Sequence, residues 1–350
     1  MTSITERLFE SSVATLEIFS VYLGGKLGLY QALRDRGSLT ASELAEAAAI
    51  APRYAREWLE QQAVAGLLEV DRTDGAADDR RYTLPADHIG PLCDPEHAEH
   101  LAPLAQILVG IGGALPRVVD AYRDGTGLSF GAYGHDLCCG QAAINRPAFT
   151  RDLPEQWLPS VPEVHDALVR GARVADVGCG QAWAAIAVAR SYPASRVVGF
   201  DPDEASIEAA AENVRRAGVD VELVCRDARD LVADGPFDLV LILEALHDMA
   251  RPDEVLTAIR QALAPGGSVI IGDEKVAEEF TAPGDPLERM MYGWSITHCL
   301  PAGLADEPAR PTGTVIRPST VRALADRAGF ARCDILPIEN DLFRFYRLAV

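Results

Sequence analysis

Apolar positions change period along this chain, and the change divides it. From Ile4 to about Arg34, Leu8, Val13, Leu16, Ile18, Phe19, Tyr22 and Leu23 keep the three-to-four spacing of a helix. Thr40-Ala41-Ser42-Glu43 is a capping box, in which each polar side chain satisfies a free backbone N–H, so a helix is expected through Ala49. Another starts at Pro52, where a missing N–H costs nothing, and runs past Trp58 to about Ala65. Leu67–Val70 and Arg80–Leu84 follow as short strands around an Asp- and Gly-rich turn. Three helices and a hairpin over residues 1–90 predict a winged helix, and residues 91–170 read as a helical connection. From Arg173 the pattern becomes strand and helix in turn: strands Arg196–Phe200, Val221–Cys225, Leu239–Leu243 and Ser268–Gly272, helices Ala184–Arg190, Pro252–Leu263 and Thr320–Ala328. Such alternation predicts an α/β domain with a parallel sheet over 171–350. Asp334–Ile338 and Phe343–Leu348 close it as an antiparallel hairpin. The Pro- and Gly-rich stretch of about 274–318 interrupts the alternation after the fifth strand, beside the carboxyl ends where ligands bind, and is expected to be a substrate lid.

Charge narrows the partners. The 350 residues carry a net charge of −20, and residues 1–90 hold 14 acidic against 9 basic residues. The wing, Asp71–Asp79, has four aspartates and one arginine, the wrong sign for approaching phosphate, so no nucleic acid is expected. Seven cysteines without framework spacing, two of them adjacent at Cys138-Cys139, suit a reducing cytoplasm. Met1-Thr2-Ser3-Ile4-Thr5-Glu6 has neither the basic nor the apolar region of a signal peptide. Leu101–Leu115, the longest apolar stretch, reads as too short to span a bilayer, and no membrane partner is expected. His88, Cys93, His97 and His100 have spacings seen at metal sites, but no further cluster completes a motif, and no metal is expected there.

The chemistry starts at Val174-Ala175-Asp176-Val177-Gly178-Cys179-Gly180-Gln181-Ala182-Trp183, a buried strand that ends in an acid and two glycines. A dinucleotide loop would have a third glycine where Trp183 stands, and Asp176 would repel a pyrophosphate. The same carboxylate suits an ammonium group. S-adenosylmethionine fits, being an adenosine without phosphates that carries a sulfonium and an amino-acid tail. Asp201, 21 residues past Gly180 at the end of the second strand, is placed to accept both ribose hydroxyls. Asp227, after the third strand, is placed to accept from the adenine amino group.

Asp176-x-Gly178-x-Gly180, Asp201, Asp227, Phe237-Asp238-Leu239-Val240 and Pro265-Gly266-Gly267 resemble, in type and order, the class I S-adenosylmethionine-dependent methyltransferases. The resemblance implies a Rossmann-like seven-stranded sheet and adds Ala228 and Glu244 to the cofactor residues Asp176, Gly178, Gly180, Asp201 and Asp227. Ala182 departs from it, since the family commonly has glycine there. The N-terminal region resembles the winged helix of small-molecule O-methyltransferases, which implies a homodimer. Glu244-Ala245-Leu246-His247-Asp248-Met249, Thr281-Ala282-Pro283-Gly284-Asp285 and Tyr292-Gly293-Trp294-Ser295 resemble an actinobacterial group of winged-helix methyltransferases, which implies a small-molecule acceptor.

A hydroxyl acceptor needs its proton removed, and histidine is the side chain suited to that near neutral pH. His247 follows the fourth strand, nine residues past Asp238, in the register of the His-Asp pair of plant-type O-methyltransferases. Two readings stay open for it, general base or helix cap. Asp248 either orients that imidazole or caps the helix beginning near Pro252. Glu274, read as just past strand five, is a supporting carboxylate or a loop charge, and His298 on the lid is a rival base. Tyr292 and Trp294 wall the acceptor pocket or pack in the core. Asn145, in the Gln141–Phe149 segment, faces the acceptor or caps a helix before Pro147. Methylation at nitrogen, sulfur or carbon, and a cofactor-sensing winged-helix regulator, are the competing functions.

Overall fold

Helix α1 (Ile4–Lys26) opens on a capping box formed by Ser3 and Glu6 in the computed structural model, which describes residues 3–350. Met1 and Thr2, which begin the run read for a leader, lie outside the described residues. The helix expected to reach Arg34 is broken at Gly28, whose φ of +68° ends one rod and starts α2 (Leu29–Arg36). The Thr40/Glu43 box starts α3 (Ala41–Ala48), and Pro52 is the first residue of α4 (Pro52–Val64). Strands β1 (Glu69–Val70) and β2 (Tyr82–Thr83) pair antiparallel as the wing, shorter than expected. Tyr30 and Trp58 meet edge to face at 5.2 Å in this small core, and Trp58 donates its indole N–H to Ser20. Along α1, Ile4, Leu8, Phe9, Leu16, Phe19 and Leu23 are exposed on one side of the helix.

Helices α5 (Ala86–Cys93), α6 (Pro103–Asp124), α7 (His135–Pro147) and α8 (Pro162–Arg170) follow, with a π-turn at Ala148–Trp157. The chain divides into two compact units, Met1–Gly110 with Cys139–Pro147, and Ile111–Cys138 with Ala148–Val350. Residues 91–170, read as a connection, are thus shared between them. The apolar stretch read as ending at Leu115 is longer than expected: α6 has 22 residues and passes as a membrane span by length and composition. Its buried positions, Ala105, Ile107, Ile111, Ala114, Val118 and Ala121, recur every two to four residues, as in a core helix.

The second unit holds a seven-stranded sheet in the order β5-β4-β3-β6-β7-β9-β8, parallel except for β9, which is antiparallel to both its neighbours. The strands are β3 (Arg173–Val177), β4 (Arg196–Asp201), β5 (Val221–Cys225), β6 (Phe237–Leu243), β7 (Leu263–Glu274), β8 (Arg332–Ile335) and β9 (Phe343–Ala349). Side chains alternate between two cores. Ala175, Val177, Val240 and Ile242 face α11 (Pro252–Ala262) and α14 (Pro318–Ala328). Val174, Leu239, Leu241 and Leu243 pack with α9 (Trp183–Ser191) and Trp157. The order reverses direction between β3 and β4 on one side and β6 on the other, so the loops after these strands converge at a switch point. Helix α10 (Glu204–Ala217) completes the β4–β5 crossover.

The stretch expected as a Pro- and Gly-rich lid contains helices instead of irregular chain. Asp285 caps α12 (Pro286–Trp294), a π-turn spans Ser295–Cys299, and α13 is Leu300–Gly303. Buried Glu288 pairs with Arg317, and accepts from the Ala277 N–H at 3.0 Å, tying both ends of the stretch together.

Candidate active site

The acids that the sequence singled out lie at or just past the ends of β3, β4, β5 and β6, but they are held differently. Asp176, buried at the end of β3, accepts from the Ala185 N–H at 3.1 Å, which fixes the first turn of α9 over it. Burial, with the neighbouring Asp201 adding, pushes its pKa up to about 7. Asp201 accepts from Gly180 N–H and Asp203 N–H, each at 2.9 Å, and burial pushes it up to about 6. Gly178, at φ +72°, has no room for a side chain: a Cβ there would come within 2.5 Å of the Ala245 methyl, so the β3 and β6 loops close on each other. Ala182 has φ +64°, a conformation natural to glycine, so the family's usual residue would relieve strain. Asp227 caps the 3₁₀ turn beginning at buried Ala228; burial raises its pKa, but Arg229, bonded through backbone and guanidinium at 2.8 and 2.7 Å, outweighs that and holds it low.

Beyond β6 the chemistry is more crowded. Glu244 has φ +55°, a strained conformation for a side-chain-bearing residue, and its Oε1 is buried without a partner among the described residues. Burial pushes it up to about 8, with the charges of Asp273 and Asp248 adding and His247 opposing. His247 is buried, and its Nδ1 lies 2.7 Å from Asp273 Oδ1 and 3.1 Å from Glu274 Oε2. Burial disfavours its imidazolium, yet Glu274, Asp273 and Asp248 together hold its pKa well above the usual histidine value. Asp273 is held low by His247 against the effect of burial, and Glu274 is pushed well up by burial and by Glu244.

Two expectations are corrected here. Glu274 does not follow strand five; it is the last residue of β7, which is longer than its apolar run because it pairs with β9 as far as Phe343. Asp248 is not the cap of α11, whose N-cap position is Arg251; its Oδ1 lies 3.4 Å from His247 Nε2, while Asp273 holds Nδ1. Asp273 is the residue the sequence reading missed. Its signal was the acid pair closing Val269-Ile270-Ile271-Gly272-Asp273-Glu274.

In the 274–318 stretch, His298 is buried between the edges of Tyr133 and Phe130, at 4.6 and 5.6 Å, with Nδ1 3.3 Å from Cys299 Sγ. Burial lowers its pKa, so its imidazole is neutral. Tyr292 is exposed and its hydroxyl accepts from Arg317 at 3.4 Å, while Trp294 is half-buried in α12. Asn145 is half-buried in α7, within the first unit. His88, Cys93, His97 and His100 do not gather: among the described residues, side chains that can jointly hold an ion meet only around His247.

In the first unit the arginines of α4 and the wing are already paired. Arg56 meets Asp78 at 3.2 Å, Arg80 meets Glu60 at 3.1 Å, and Arg53 meets Glu57. A helix presented to DNA needs such cations free for phosphate.

Known proteins share both parts. Residues 174–267 match the family model of a methyltransferase domain, and residues 14–93 that of the Rv2258c-like winged HTH domain. The chain has the class I methyltransferase fold behind an N-terminal winged helix. Over 99 residues it is 36% identical to the ubiquinone biosynthesis O-methyltransferase of Roseobacter denitrificans, covering 28% of this chain and 39% of that protein. Over 88 residues it is 42% identical to the ribosomal protein L11 methyltransferase of Thermosipho africanus, covering 23% and 33%. The chain therefore spans well under half the length of these curated relatives. Their names differ in acceptor. Human N-acetylserotonin methyltransferase, solved with S-adenosylmethionine, superposes with a TM-score of 0.68 at 18% identity over 99% of this chain and 98% of that one, a likeness of fold.

Proposed function

We propose that this protein transfers the methyl group of S-adenosylmethionine to a hydroxyl of a small molecule, releasing S-adenosylhomocysteine, with His247 as general base. The observation that carries the reading is the His247–Asp273 pair, 2.7 Å apart, behind the strand ends that hold Asp176 and Asp201. His247 Nδ1–H donates to the Asp273 carboxylate, so Nε2 is the nitrogen that receives a hydroxyl proton; because the surrounding carboxylates favour the imidazolium, turnover is expected to rise with pH as Nε2 loses its proton. The transfer itself is an in-line displacement: the acceptor oxygen bonds to the methyl carbon as the carbon–sulfur bond breaks and its electrons neutralise the sulfonium. Positioning therefore supplies much of the rate. On the cofactor side, Asp176 serves the ammonium, Asp201 the ribose and Asp227 the adenine, with Gly178, Gly180, Ala228 and Glu244 around them. Asn145, Tyr292, Trp294 and His298 are the residues proposed to shape the acceptor site.

The proposal includes a homodimer formed through the exposed apolar side of α1, since a row of Leu, Phe and Ile along one helix is surface that a second copy would cover. It also has the enzyme working in the cytoplasm, in keeping with seven cysteines whose spacing follows no disulfide framework. The test is calorimetry with S-adenosylmethionine, for which micromolar binding is expected; no detectable heat or displacement would sink the reading. Sedimentation of a Leu16→Glu variant tests the dimer, and the expected result is a monomer.

A further inference from the structure

Two sides of the His247 ring are built for different tasks. Nδ1 is committed to Asp273 at 2.7 Å. Nε2 faces Asp248 Oδ1 at 3.4 Å, and Cys299 Sγ lies with both of them in a group whose ligand atoms are all within 4.8 Å of one another. Asp248 Oδ1 is buried and has no hydrogen-bond partner among the described residues. Among the described residues this oxygen has the ring nitrogen as its only ion-pair partner, at a distance too long for a good hydrogen bond, and a shared ion would bring oxygen, nitrogen and thiol together.

We infer that His247 Nε2, Asp248 Oδ1 and Cys299 Sγ form a three-ligand site for a divalent ion of the zinc class. With bonds of about 2.0–2.1 Å to nitrogen and oxygen and about 2.3 Å to sulfur, a tetrahedral ion sets its ligand atoms roughly 3.4–3.6 Å apart; the Nε2–Oδ1 distance of 3.4 Å matches this, and Cys299 Sγ lies within 4.8 Å and closes in on the ion. The ligand types fit as well, because one thiolate with one imidazole selects against magnesium and calcium. Thiolate, carboxylate and neutral imidazole together cancel the double positive charge. The Asp273–His247 hydrogen bond is the support that ligating histidines use to fix ring and tautomer. Cys299 ends the π-turn Ser295–Cys299, whose Ile296 and Thr297 carbonyls accept from Tyr122 and Tyr133 hydroxyls at 2.9 Å each, so its backbone is anchored before any ion arrives.

Binding forms three metal–ligand bonds and sends the thiol proton, with any proton on Nε2, to solvent. The fourth position is left to water. Because the ion occupies the lone pair that would receive the hydroxyl proton, it inhibits proton transfer; this consequence rests on the general-base reading above.

The experiment is a titration of the full chain with cobalt(II), whose tetrahedral thiolate complexes absorb through sulfur-to-metal charge transfer, followed by displacement with zinc. Wild type is expected to show that band at one equivalent, and Cys299→Ser to lose it and bind zinc at least about tenfold more weakly. Equal binding by both proteins, or no band in wild type, overturns the site. X-ray absorption of zinc-loaded wild type needs no variant: one sulfur with two or three nitrogen or oxygen neighbours is expected, and a shell without sulfur overturns it. Turnover is read separately. Zinc bound as described but without effect on turnover overturns the base reading and leaves the site standing; absence of the site leaves the base reading untouched.

Discussion

The loops after β3 and β4 and those after β6 and β7 both carry carboxylates at strand ends, yet they spend them differently. On the first side, Asp176 and Asp201 accept from backbone N–H groups at 2.9–3.1 Å, so the chain itself fixes their direction. On the second side Glu244, Asp273 and Glu274 crowd one histidine, and several of their oxygens have no partner among the described residues. The first arrangement has fixed directions, as the proposed cradle for the donor requires. The second stores unsettled charge, as a site does where protons or ions move.

The comparison predicts that each side fails in its own way. His247→Ala is expected to cut turnover by about 10²–10⁴-fold with little change in S-adenosylmethionine affinity, because the transferred proton loses its acceptor; loss of the Asp273 pairing is read separately as lowered stability. Turnover within a few-fold of wild type across the active pH range would erase the distinction. Asp201→Ala should do the converse: weaken cofactor binding, and cost about 1–3 kcal/mol of stability as Gly180 and Asp203 lose a buried acceptor. Calorimetry and chemical denaturation on one preparation check both.

Asp176 gives a pH test of the cradle. Its folded pKa of about 7 lies above the ordinary 3.8, so between these values the native state keeps a proton the unfolded chain has lost. Stability from this group is complete below about pH 4 and declines as pH rises toward 7. Asp176→Asn should remove that decline, melting higher than wild type at pH 8 while binding the cofactor more weakly. A melting temperature that falls with pH equally in both proteins would show the carboxyl to be ordinary. The smallest effect is at the glycine-like turn: Ala182→Gly should raise stability by about 0.5–1 kcal/mol through relief of the positive φ.

The cradle was legible in the sequence because it is local. An apolar run of four or five residues followed by an acid marks a strand end, and Gly178 and Gly180 mark a turn that needs positive φ. The Thr40/Glu43 box and Pro52 were legible for the same reason. The second side was not, because it is made by pairing across long separations. Nothing near Asp273 announces that β7 continues beside Phe343, or that its carboxylate meets a ring 26 residues earlier. The lid helix had a local sign, Asp285-Pro286-Leu287-Glu288, an N-cap with proline at the first helical position, but the surrounding prolines and glycines outweighed it. The Glu288–Arg317 clasp, spanning 29 residues, left no local trace.

The central claim is a division of labour, with the donor held at the β3–β5 ends and the proton taken at the β6 end. Incubating wild type and His247→Ala with methyl-labelled S-adenosylmethionine and a metabolite extract, with donor binding measured in parallel, tests it most directly. Equal donor binding is expected, with a labelled small molecule carrying the methyl on oxygen from wild type and almost none from the variant. Label on nitrogen or carbon, or equal label from both proteins, would contradict it.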